Sequence, residues 1–127
     1  MNRARDWFKQ AQYNLLHAQR SIDMGDYAWA CFAAHQAAEA ALKGLHLRLG
    51  QVAWGHSVSH LLLTLPGRKA PSEELVAFAR FLDKQYIPSR YPDAHPDGPA
   101  SENYTLSEAR YALEAAEKIL LFCGAGL

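Results

Sequence analysis

The chain has 127 residues, half of them apolar, which is enough for one domain with a real core and too little for two. Thirteen basic side chains balance thirteen acidic ones, so a nucleic-acid binder of the uniformly basic kind is excluded, while a local basic site remains open. The apolar content argues against disorder, and no apolar run approaches the length of a membrane-spanning helix.

The first helix is predicted over residues 3–24. Trp7, Ala11, Leu15, Ala18 and Ile22 recur at spacings of four, four, three and four, which is an amphipathic stripe. Gly25 stops it. The link to the next helix is so short that the two must run antiparallel as an αα-hairpin. The segment has charge but no apolar signal core in MNRARDWFKQ. Cys31 and Cys123 stand far apart in apolar helical contexts without a metal-ligand spacing, and read as buried thiols of a reducing compartment. A cytoplasmic protein is expected.

Residues 27–49 form the stretch on which the rest depends. It is dense in alanine, the best helix former. Asp26 stands at its N-cap and Gly50 at its C-cap. Ala30, Ala33, Ala37, Ala40, Ala41 and Gly44 make a surface so thin that another backbone can come close. His35, Glu39, Lys43 and His46 share a second, polar stripe. The spacing predicts a solvated stripe carrying a Glu39–Lys43 pair in the favourable order. The alternative is a polar groove facing a partner or ligand.

A third, short helix is predicted over residues 57–65, with Leu61, Leu62 and Leu65 inward and Pro66-Gly67 as its stop. The basic, turn-like link RKAPS leads to a fourth helix over residues 73–86, N-capped by Ser72, with Leu75, Phe78, Leu82 and Tyr86 as its stripe. Residues 87–104 hold four of the six prolines and read as a loop. A loop this long in a small domain is often functional. The capping box Thr105-Leu106-Ser107-Glu108 opens the last helix, residues 106–123. No strand pattern competes. The expected fold is all-α: an up-and-down bundle of four helices plus a short extra one, in a single domain over residues 1–127.

Phosphate-binding glycine loops, zinc-type cysteine pairs and nucleophile elbows are absent. His56 and His60 lack a carboxylate at helical spacing, so no metal site and no cofactor are expected. The loop offers Arg90-Tyr91-Pro92-Asp93-Ala94-His95. A guanidinium holds phosphate with a forked pair of donors, and an imidazole moves protons near neutral pH. Together Arg90 and His95 are suited to cleave RNA without metal, with Asp93 orienting either one. The same residues also serve as simple staples of the loop, with Tyr91 as an apolar anchor.

Trp7-x-x-x-Ala11, Gly25-Asp26-Tyr27, Gln36-Ala37-Ala38-Glu39-Ala40-Ala41-Leu42-Lys43, Gly55-His56-Ser57, Ser89-Arg90-Tyr91-Pro92-Asp93 and Tyr104-Thr105 together resemble a HEPN domain. The resemblance spans nearly the whole chain. It implies a helical bundle like a nucleotidyltransferase substrate-binding subunit, commonly a homodimer. It also implies association with nucleotide or RNA, and a minimal nucleotidyltransferase as partner in a toxin–antitoxin or related two-component system. Active members of the wider family carry Arg-x(4–6)-His and act as metal-independent endoribonucleases across a dimer; Arg90 and His95 match that spacing. Three readings therefore stand. The first is a binding module using Arg90, Tyr91, Asp93, Lys43 and Glu39. The second is a ribonuclease using Arg90 and His95. The third is a purely structural helical interaction protein.

Overall fold

A computed structural model describes residues 3–67 and 70–126. It is all-helical, with no strand among the described residues. Five α-helices follow one another: α1 (Ala4–Asp23), α2 (Tyr27–Arg48), α3 (Val58–Leu63), α4 (Glu73–Asp83) and α5 (Leu106–Gly124). Arg68 and Lys69 of the RKAPS link lie outside the described residues.

The α1–α2 turn needs a left-handed residue, and Gly25 supplies it at φ 81°. Asp26 occupies the N-cap position of α2 but makes no side-chain cap there. Ser57, Ser72 and Thr105 do cap α3, α4 and α5, each accepting from a backbone N–H three residues on. Thr105 and Glu108 complete a reciprocal capping box.

α2 is the axle of the molecule. Fifteen of its twenty-two residues are buried, on every side rather than along one stripe. It packs most extensively on α1 and next on α5. Alanine makes this possible: Ala11 and Ala18 of α1, Ala34, Ala37, Ala38 and Ala41 of α2, and Ala109, Ala112, Ala115 and Ala116 of α5 have no exposed surface. Leucines and Ile119 fill the wider spaces between the helices.

Two predicted features come out differently. α4 stops at Asp83, three residues before Tyr86. Pro88 lacks the N–H that would carry the helix on, and residues 84–90 form a run of hydrogen-bonded turns instead. The proline-rich stretch is also not featureless. It contains two 3-10 turns, Pro92–Ala94 and Ala100–Glu102. The side chain of Asn103 ties it together by donating to the carbonyls of Asp97 and Pro99.

Candidate phosphate-binding and proton-transfer site

The polar stripe of α2 is not a solvated one. His35, Glu39 and His46 are buried. Helical spacing reveals a shared face but not what covers it, and here residues 51–57 and α3 fold across it. His46 donates from Nε2 to the Leu61 carbonyl at 2.8 Å. His35 donates from Nε2 to the His56 carbonyl at 2.7 Å, and its Nδ1 lies 3.0 Å from the Gln36 amide. The Glu39 carboxylate, 7% exposed, meets Lys43 Nζ at 3.3 Å and accepts from His56 Nδ1 at 2.8 Å. The Glu39–Lys43 pair is thus present, but it sits in a buried network instead of on an open helix face.

His56 arrives from the loop after α2. Its ring stacks on Tyr86, with centroids 4.5 Å apart and planes 16° apart. Its side chain is 55% exposed. Because Nδ1–H is given to Glu39, the neutral ring presents its lone pair at Nε2. The loop's far end is fixed as firmly. Asp83, at the end of α4, accepts hydrogen bonds from the backbone N–H groups of Val58 and Ser59 and from the hydroxyls of Ser57 and Ser59.

Arg90 lies on the other edge of the same aromatic group. Its guanidinium carbon is 4.2 Å from the Phe32 ring centroid, 4.7 Å from that of Tyr86 and 5.4 Å from that of Tyr91. Nε and Nη2 donate to the Tyr86 carbonyl at 2.9 and 2.7 Å. Among the described residues no carboxylate pairs with it. It is a half-buried cation held among aromatic rings by a main-chain oxygen.

The other loop residues are placed apart from that cluster. Tyr91 is exposed beside Arg90, and Asp93 is exposed on the first 3-10 turn. His95 donates from Nε2 to the Pro88 carbonyl at 2.6 Å and stands edge-on to Tyr104. So Arg90 and the Glu39-bonded ring of His56 share the Tyr86 ring, Lys43 lies farther along α2 between Glu39 and the Trp7 ring, and His95 is turned toward the loop's own backbone. Sequence reasoning misses His56, Tyr86 and Phe32 as site residues. The available signal is the Gly55-His56-Ser57 triplet just outside the helix that carries Glu39.

A groove of ≈ 450 Å³ opens beside the cluster, between α1 and α2, with Trp7, Gln10, Trp29 and Phe32 among its walls. Trp29 stands edge-on to Phe32 at 5.9 Å, so groove and cluster share an aromatic wall. No helix among the described residues is long and apolar enough to cross a membrane.

The alanine-rich helical bundle has relatives among known proteins. The sequence profile of the HEPN domain matches residues 4–125. The crystal structure of TT1696 from Thermus thermophilus is similar over 100% of both chains, at 64% identity and a TM-score of 0.97. ST0689, an archaeal HEPN homologue, is 40% identical over 98% of each chain with a TM-score of 0.83. A HEPN domain protein from Thermotoga maritima is 38% identical over 94% of this chain and 95% of its own, with a TM-score of 0.76. No curated protein matches. The chain belongs to the HEPN family.

Proposed function

We propose that this chain is a binding protein for phosphorylated nucleotides or RNA, and that it works with a minimal nucleotidyltransferase in a toxin–antitoxin or related two-component system. The observation that carries the reading is Arg90. A guanidinium has five N–H donors, and only two are given to the Tyr86 carbonyl. The charge has no carboxylate among the described residues and is pre-oriented by Phe32 and Tyr86. A phosphate oxyanion is the partner that such a fork suits. Lys43, paired with Glu39 and set over the Trp7 ring, is a second cation farther along α2. The exposed rings of Tyr91, Trp29 and Trp54 offer faces for base stacking. Pairing into a homodimer, common among HEPN domains, brings two such sites into one particle.

The test is fluorescence polarisation with a labelled single-stranded oligoribonucleotide. Arg90→Ala is expected to weaken binding by about tenfold or more, the worth of one charge-assisted contact of roughly 1.5–3 kcal/mol. Wild-type affinity in that variant refutes the reading. Co-purification with the product of the adjacent reading frame tests the partner. A protein that binds neither is the purely structural module. Cleavage through Arg90 and His95 is the weaker reading, because the Nε2–H of His95 is already given to Pro88.

A further inference from the structure

α1 packs chiefly on α2 and only lightly on α5, and a valley opens between α1 and α5. Its central hollow, ≈ 560 Å³, has Phe8, Leu15 and Leu120 among its walls. A second hollow of ≈ 280 Å³ shares Phe8 and Gln12 with the first and adds Arg5 and Lys9, toward the start of α1. The two helices run antiparallel here. A Cβ on Gly124, at the end of α5, would stand 3.3 Å from the Phe8 ring, whereas Leu15 shares its hollow with Glu117, two turns earlier. Leu121, in the wall on α5, is 70% exposed, and Leu16, one turn past Gln12 on α1, is 46% exposed. Among the described residues Arg5 and Lys9 form no ion pair. Two like charges one turn apart on α1 are thus left without compensation at one end of an apolar trough.

We propose that this valley docks an amphipathic helix of a partner protein. Its aliphatic side chains meet Phe8, Leu15 and Leu121, carboxylates in its first turn meet Arg5 and Lys9, and a cation in its last turn meets Glu117. Length, chemistry and charge choose that occupant. From Arg5 to Leu16 the valley follows α1 for roughly 16 Å, about three turns of helix. Its apolar walls suit side chains repeating at helical intervals on one face of a guest. Its ends carry opposite charge, basic at Arg5 and Lys9 and acidic at Glu117. A helix with an acidic first turn and a basic last turn has the polarity that its own dipole favours, so the guest lies parallel to α1. A second copy of this chain is the poorer fit, because a twofold contact through this face sets one hollow against another and fills neither. The valley shares no residue with the Arg90 cluster, so the proposal stands apart from the phosphate-binding reading.

The experiment uses the full chain and labelled synthetic peptides of about sixteen residues, held helical by a staple on the outer face. The first carries leucines along one face, glutamates in its first turn and lysines in its last. The second exchanges the charges of the two ends, and the third replaces the leucines by serine. Fluorescence polarisation reads affinity, and amide NMR reads the place of binding. The first peptide is expected to shift the resonances of residues 5–16 and 117–125 and to bind about tenfold tighter than the second, the sum of several rim ion pairs set against as many like-charge contacts. The third is expected not to bind. Leu121→Glu is expected to abolish binding of the first peptide. Arg5→Glu with Lys9→Glu, checked for a native helical spectrum and melt, is expected to invert the preference between the first two. Equal affinity for those two, a preference that survives the charge reversal, or shifts that map elsewhere overturn the proposal. So does the absence of binding at about millimolar peptide. Self-association of the chain that Leu121→Glu abolishes makes the occupant a second copy and overturns it as well.

Discussion

The thiol of Cys31 and the phenol of Tyr104 both resist ionisation. Burial, with the Glu108 charge adding to it, pushes Cys31 from its ordinary 9.0 up to about 12. Burial does the same to Tyr104, helped by Cys31 and Glu108, while its hydroxyl donates to Gln85 at 2.8 Å. The folded protein therefore keeps protons that the unfolded chain sheds. That contribution is complete below the unfolded value and is lost as pH climbs through the folded one. Unfolding free energies from urea titrations are expected to fall from about pH 9 upward through Cys31 and from about pH 10 upward through Tyr104, by up to about 1.4 kcal/mol per pH unit for each group. Cys31→Ala is expected to flatten the slope. Neither effect is visible in the sequence, because nothing in the spacing puts Tyr104 beside Cys31. The polar stripe of α2 shows the same limit. Its register is plain from the intervals between His35, Glu39, Lys43 and His46, but its burial depends on a loop that packs over it from residues 51–57.

Helix against helix, the closest approach is α1 on α2. A Cβ added at Gly44 would stand 3.0 Å from the Ala4 carbonyl oxygen and 3.1 Å from Trp7 Cβ. Backbone cannot swing aside as a side-chain end can. Gly44→Val is expected to destabilise by about 2 kcal/mol or more, with overpacking exceeding the propensity gained over glycine. Chemical denaturation reads it, and an unchanged midpoint contradicts the close contact. The small-residue surface of α2 announces this packing in advance. The tie between α3 and α4 does not announce itself. In the sequence Asp83 falls inside the predicted helix over residues 73–86 with nothing to single it out, yet its carboxylate caps the start of α3. Asp83→Ala is expected to cost about 1–2 kcal/mol, the usual worth of an N-cap. It is also expected to loosen the loop bearing His56, seen as broadening of that imidazole's NMR signals. Helix ends are legible in the sequence where the cap is local, as at Ser72 and Thr105. They are obscure at Asp83, where the side chain serves a different helix.

For the molecule as a whole, rigidity is distributed unevenly. α2 is enclosed by α1, α3, α4 and α5, and its alanines surrender no rotamer freedom when they pack. Its central amides are expected to open only with the whole fold. In deuterium, the middle of α2 is expected to exchange last, at the rate set by total stability, and residues 51–57 and 91–104 first. Mass spectrometry of peptic fragments reads the order, and early exchange across 34–42 contradicts it. Glu39 thereby sits on the most enclosed helix, while the imidazole it meets is carried by the connection between α2 and α3. A molecule that presses on that loop is expected to part carboxylate from ring while the bundle beneath stays still.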